Sequence, residues 1–191
     1  MSEHGDEPVE VRISAERVRC MVPGPTGPLE IRRIPDPEHR LAPEWARTSR
    51  PAPPAVLQPL APVPGVVPLG ELELIDALLS EEIIVADGRT PDQYAKYTIP
   101  GAINLPYDRP EIALETLGCH RRVDGWDCDK ARQVALFCNA PWCGQSPSAI
   151  RRMTEAGFPP ERIHYYRNGM QGWLLQGLSV WTPGSETTFH I

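Results

Sequence analysis

No stretch of this chain approaches the roughly 18 consecutive apolar residues that a bilayer-spanning helix needs, which argues against a helical membrane protein. Long runs of like charge are also missing, and the net charge is −6. Such a balance lacks the basic footprint of a nucleic-acid binder or of a protein held on an anionic membrane surface. The opening residues, Met1-Ser2-Glu3-His4-Gly5-Asp6-Glu7, are polar and acidic, the wrong composition for a secretory signal. The five cysteines (Cys20, Cys119, Cys128, Cys138 and Cys143) fit no zinc-ribbon or zinc-finger spacing. Cys119-His120 with Cys128 is a weak metal grouping, read instead as part of a surface insertion. A cytoplasmic protein with reduced thiols is the resulting expectation.

Proline is plentiful but unevenly spread: 14 of the 23 lie before residue 69, so the chain divides in two. Residues 1–65 read as an N-terminal extension with a proline-rich linker, 66–182 as a folded domain and 183–191 as a tail. Residues 1–8 are expected to be disordered. Alternation at Val9, Val11, Ile13, then Val18, Cys20, Val22, then Leu29 and Ile31 predicts a small β-hairpin or meander within 9–34. The turn cluster at residues 23–28 divides its last two strands. Residues 35–68 are expected to be extended, including Arg50-Pro51-Ala52-Pro53-Pro54.

From Val66 onward, strand and helix patterns alternate. Strands are predicted at Val66-Val67, Ile83–Ala86, Ala102–Leu105, Val134–Phe137 and Arg162–Tyr166. Helices are predicted over Leu69–Leu79 (inner positions Leu72, Ile75, Ala77, Leu78 and Leu79), Thr90–Tyr94, Pro110–Leu117, from Ser146 onward, and Gly169–Leu175. This alternation implies an α/β domain with a parallel sheet covered on both faces.

Chemistry concentrates where the strand Val134-Ala135-Leu136-Phe137 runs into Cys138. The loop Asn139-Ala140-Pro141-Trp142-Cys143-Gly144-Gln145 follows, and a helix then opens with Ser146 as N-cap and Pro147 as first residue. Ligands of open α/β sheets bind outside the carboxyl ends of strands. Unpaired amides and the positive end of a helix favour an anion there, so Cys138 is expected to ionise. Burial as an inert structural thiol is the competing reading.

The run Asp87-Gly88-Arg89-Thr90-Pro91-Asp92-Gln93-Tyr94, followed by Ile99-Pro100-Gly101-Ala102-Ile103-Asn104-Leu105-Pro106, resembles two signatures of the rhodanese family. The strand ending at Cys138 and Asn168-Gly169-Met170-Gln171-Gly172-Trp173 match its remaining landmarks in order. The resemblance covers about residues 66–181. It implies a three-layer α/β/α domain with a five-stranded parallel sheet, and a cysteine that carries sulfane sulfur as a persulfide. The loop amides of Asn139, Ala140, Trp142, Gly144, Gln145 and Ser146 would then cradle the sulfur. Asp87 and Arg89 would brace the neighbouring loop. Gly101 and Gly169 would permit tight turns, and Trp173 would pack in the core. The partners implied are a small sulfane-sulfur donor and a thiol acceptor, a protein acceptor included. No cofactor or metal is implied, and the oligomeric state is left open.

Two departures from the family pattern matter. Residues 139–148 contain no Arg, Lys or His, which weakens the case for thiosulfate, a dianion that profits from bidentate arginine. Gly144 stands where the related phosphatases and arsenate reductases need arginine. The loop instead resembles a bacterial rhodanese-like subgroup with a second loop cysteine, here Cys143. Three functions remain open. Cys138 carries a persulfide that Cys143 resolves; the pair cycles between dithiol and disulfide; or the domain is an inactive interaction module whose N-terminal extension wraps a partner or its own core.

Overall fold

The structure is a computed structural model that describes residues 10–47 and 56–191. The expected disorder of residues 1–8, the strand position of Val9 and the Arg50–Pro54 run lie outside the described residues. In chain order the elements begin with a hairpin, β1 (Arg19–Val22) and β2 (Leu29–Arg32), and a helical turn, α1 (Pro43–Ala46). The series β3 (Val67–Pro68), α2 (Glu71–Leu79), β4 (Ile83–Asp87), α3 (Pro91–Lys96), β5 (Ile103–Asn104) and α4 (Pro110–Thr116) follows. Next come a second hairpin, β6 (His120–Arg122) with β7 (Gly125–Asp127), then β8 (Gln133–Phe137), α5 (Gln145–Glu155), β9 (Ile163–Tyr166) and α6 (Gly169–Leu175). A last hairpin pairs β10 (Val180–Trp181) with β11 (Thr188–Phe189).

Five strands form one parallel sheet in the order β3-β9-β8-β4-β5. The continuous apolar strands follow from burial on both faces. In β8, Ala135 and Phe137 face one core with Ile75 of α2 and Met170 and Trp173 of α6. Val134 and Leu136 face the other, with Leu114 of α4 and Ile150 and Met153 of α5. The period-2 alternation of side chains thus builds the three-layer α/β/α architecture from one pentapeptide.

Three local expectations are corrected. Leu74, not Leu72 or Leu79, is an inner position of α2, because the helix starts at Glu71 and its turn carries Leu72 and Leu79 outward. Residues 11–13 form no strand; the alternation becomes regular only in the β1–β2 hairpin, where Cys20 pairs with Ile31 and Val22 with Leu29. All four of those side chains are buried in the α2 core, which supplies the burial that a lone hairpin lacks. The proline-rich segment is interrupted by α1, whose Trp45 is also buried in that core.

The expectation of reduced thiols fails at one pair. Cys119 and Cys128 flank the β6–β7 hairpin with Cα atoms 4.4 Å apart and form a disulfide, so neither sulfur is available as a metal ligand. No helix among the described residues is long and apolar enough to cross a membrane.

Candidate functional site

The carboxyl ends of β4, β8 and β9 meet at one edge of the sheet, and the Cys138–Gly144 loop leaves from the middle strand. Three neighbours hold the start of that loop. Gly88 N–H donates to Phe137 O (2.8 Å), Met170 N–H to Cys138 O (2.9 Å) and Gln171 N–H to Asn139 O (2.8 Å). The last two donors belong to the first turn of α6, whose amides have no partner within the helix. Their approach requires Gly169: its φ is +58°, and a Cβ there would fall 2.4 Å from Cys138 O. Gly101 likewise has a positive φ, of 84°.

Within the loop, Cys143 N–H donates to Ala140 O (2.9 Å), closing a turn with Pro141 and Trp142 at its centre. This turn brings Cys143 back to Cys138. Both thiols are free and buried, and they interact directly. Cys138 Sγ also lies 3.6 Å from Cys143 O.

Their environments push their acidities apart. Cys138 is raised well above the usual thiol range by burial, then by its hydrogen bond with Cys143 and by that group's charge. Cys143 is lowered to about 6, chiefly because Cys138 S–H donates to it. The amides of Gln145 and Asn139, with the Asn139 side chain, reinforce that lowering against the opposing effect of burial. The expectation that Cys138 is the ionised sulfur is therefore corrected. It sits at the foot of the loop, 1 % exposed, where desolvation of a charge dominates over a nearby dipole.

The loop amides divide between the sulfurs. Asn139 and Gln145 donate toward Cys143, and Ser146 toward Cys138. Ala140, Trp142 and Gly144 enter by other contacts: Ala140 through its carbonyl, Gly144 by accepting Ser148 N–H at 3.0 Å, and Trp142 through Nε1 to Gln171 Oε1 at 3.1 Å. Ser146 is not the N-cap. That position is Gly144, so Gln145 and Ser146 are the first two helical residues and Pro147 the third. The Ser146 hydroxyl instead lies beside Cys138.

Side-chain carboxamides complete the surround. Asn139 Nδ2 donates toward Cys143 Sγ at 3.6 Å, whereas Cys143 Sγ, in its thiol form, donates to Gln145 Oε1 at 3.4 Å. Asn139 Nδ2 donates to Gln145 Oε1 (3.1 Å), and Gln145 Nε2 reaches Gln93 Oε1 of α3 (3.5 Å). These sulfur partners are all uncharged. Arg151 and Arg152 on α5 are exposed.

Asp87 and Arg89 form a brace beside the site. Arg89 Nε and Nη2 donate to the Asp87 carboxylate at 2.7–3.0 Å, and Nη2 also reaches Tyr97 O at 2.6 Å. Thr98 Oγ1 donates to Asp87 Oδ2 at 2.8 Å and completes this network. The ion pair is enclosed, with side chains 3 % and 0 % exposed. The arginine is spent on scaffolding.

Sequence reasoning missed Gln93, Gln171 and Tyr165. Tyr165 is pushed up by burial and then by the charges of Cys138 and Cys143, and its hydroxyl is buried without a partner among the described residues. Gln171 lies inside a recognised landmark, but nothing in the sequence pairs it with Trp142.

A family model described as Rhodanese-like domain matches residues 72–176. The HTH-type transcriptional regulator Rv0324 of Mycobacterium tuberculosis is 29% identical over 108 residues, covering 56% of this chain and 42% of that protein. The chain thus spans less than half the length of that relative. Among solved structures, the BH2092 protein from Bacillus halodurans is 23% identical with a TM-score of 0.46, covering 59% of this chain and 73% of that one. A thiosulfate sulfurtransferase from Pseudomonas aeruginosa is 24% identical with a TM-score of 0.42, covering 63% of this chain and 20% of that one.

Proposed function

Because this chain belongs to the rhodanese-like domain family, we propose that it moves sulfane sulfur through a two-cysteine site in which Cys143 makes the first attack. The observation that carries this reading is the turn that folds Cys143 back over Cys138, with Cys138 Sγ 3.6 Å from Cys143 O, and it is supported by a Cys143 pKa lowered to about 6 beside a raised one at Cys138. A thiolate is the nucleophile in sulfur exchange, and one with an acidity just below neutral is both populated and reactive.

Cys143 Sγ attacks the outer sulfur of a persulfide donor. A bond forms between Cys143 and that sulfur, the donor's S–S bond breaks, and the donor leaves as a thiolate with the bonding pair. The transferred sulfur keeps its proton. An acceptor thiolate then attacks this outer sulfur, regenerating the Cys143 thiolate. Alternatively, Cys138 attacks Cys143 Sγ. This closes a Cys138–Cys143 disulfide and releases the outer sulfur as hydrogen sulfide, which carries away the Cys138 proton. A dithiol reductant resets that branch.

Uncharged sulfur partners favour a persulfide or polysulfide donor over thiosulfate, whose second charge finds no guanidinium among the contacts to either cysteine. Exposure of the whole protein to a low-molecular-weight persulfide should add 32 Da to Cys143, read by peptide mass spectrometry on an iodoacetamide-quenched sample. Loading at the normal rate in Cys143→Ser sinks this reading.

The sulfur contact also favours a second reading, thiol–disulfide exchange without sulfur transfer. It predicts a reversible Cys138–Cys143 disulfide together with negligible persulfide on either residue.

A further inference from the structure

The loop that presents Cys143 is not held by the sheet and helices of its own domain alone. Its first two carbonyls, Cys138 O and Asn139 O, are taken by α6 amides, and its end merges into α5. The middle, Pro141-Trp142, makes different contacts. Gln58 N–H donates to Pro141 O at 2.8 Å. Gln58 is itself fixed: it is 9% exposed, and its carbonyl accepts Arg167 Nη1 at 3.1 Å. On the other flank, Trp142 Nε1 donates to Gln171 Oε1 (3.1 Å), and Gln171 Nε2 donates to Trp45 O (2.7 Å). Trp45 is anchored in turn, because its Nε1 donates to the Tyr97 hydroxyl (2.8 Å) and its ring is buried. Tyr97 O closes the chain on Arg89, the partner of Asp87.

We propose that the N-terminal segment is part of the sulfur site: Gln58 directly, and Trp45 through Gln171, position the Pro141-Trp142 turn so that Cys143 meets its amide donors. Pro141 and Trp142 are the two central residues of the turn closed by Cys143 N–H and Ala140 O. Rotation of that turn swings its fourth residue, Cys143, and hydrogen bonds to its sulfur weaken steeply with misalignment. The Pro141 carbonyl is tied to the extension directly and the Trp142 indole through Gln171, and two such ties suppress rotation where one would leave a pivot. Gln58, Gln171 and Trp45 are positioning residues. None of them touches either sulfur in the contacts described.

This inference rests on Cys143 being the reactive sulfur, but its test needs no sulfur donor. In the full-length protein, the rate of Cys143 alkylation by iodoacetamide is followed against pH by peptide mapping, beside the thermal midpoint. Gln171→Leu removes both side-chain hydrogen bonds of the bridge, and Trp142→Phe, at a half-exposed position, removes the indole donor and keeps an aromatic ring. Each should raise the apparent pKa of Cys143 by about one unit, slowing alkylation below that pKa by up to about tenfold as the thiolate fraction falls. Combining the two should add little, since both act through one link. Gln58→Pro deletes the other tie and should shift the profile the same way, independently of the first pair. Unchanged profiles in Trp142→Phe and Gln171→Leu, with only the midpoint lowered, would reduce these contacts to scaffolding and overturn the proposal. Full additivity of those two variants would overturn the shared link. Absence of a 32 Da adduct on the wild-type protein, with the pKa shifts observed, would sink the sulfur-transfer reading and leave this one standing.

Discussion

Cys138 Sγ lies 3.6 Å from Cys143 O, and its thiol beside Cys143 lowers the pKa of Cys143 while burial keeps the Cys138 proton in place. The two effects are one arrangement seen from each end. Replacing Cys138 by Ala should therefore slow Cys143 alkylation near neutral pH and move its apparent pKa upward from about 6. Wild-type protein should show one thiol titrating near that value and a second unreactive until well above the ordinary thiol range. Equal profiles for the two thiols would contradict the assignment.

The same pair gives stability a pH dependence with a definite sign. Cys143 has a folded value of about 6 against 9.0 as reference, so between these limits the unfolded chain binds a proton that the folded chain does not. Its contribution is present above the higher value and is lost as pH falls through the lower one. Cys138 acts oppositely: its raised value contributes below the reference, and that contribution is lost as pH rises through its folded value. From pH 6 to 9, the stability difference between wild type and Cys143→Ala, measured by urea unfolding, should grow in favour of wild type. A constant difference would remove the thiolate from the folded state.

Asp87 is enclosed, and its acceptor capacity is taken up by Arg89 and Thr98. Arg89→Met strands a buried carboxylate and should destabilise by about 3–5 kcal/mol in denaturant titration. Thr98→Val removes one hydrogen bond to a charged group and should cost about 1.5–3 kcal/mol. A loss well below these ranges in both variants would mean that the carboxylate reaches water.

Gly169→Ala places a methyl group 2.4 Å from Cys138 O at a left-handed φ of +58°. The first turn of α6 must then back away from the loop. A lower thermal midpoint and a higher Cys143 pKa should appear together. A lower midpoint with an unchanged alkylation profile would show that α6 does not steer the sulfur.

The Cys119–Cys128 bridge spans nine residues of sequence, for which loop-closure entropy gives about 2–3 kcal/mol. Cys119→Ser with Cys128→Ser should lower the free energy of unfolding by that amount. Cys143 alkylation should be unchanged, because the bridge lies in the hairpin between α4 and β8 and makes no described contact with the loop. Altered Cys143 chemistry in that variant would point to an unseen link.

Much of the architecture was legible in one dimension. The short apolar runs Ile83–Ala86 and Val134–Phe137 announce strands buried on both faces, each one residue short of the observed strand, and α6 begins and ends at the residues its pattern predicts. The loop's chemistry-bearing residues also stood out, because a cysteine at a strand end followed by a helix start is a local pattern. The start of α5 was misread by two residues, since Ser146 looks like a cap whereas Gly144 occupies the cap and Ser146 turns toward sulfur.

Sequence alone settled which side chains alternate, which runs become strands and where the sulfur-bearing loop lies, because those follow from period and local backbone preference. Only tertiary structure lowered the pKa of Cys143 beside that of Cys138, joined Cys119 to Cys128, and tied Gln58 directly and Trp45 through Gln171 to a loop some eighty to a hundred residues away. Acidity, bond formation and positioning depend on what stands nearby in space, and separation along the chain does not encode that distance.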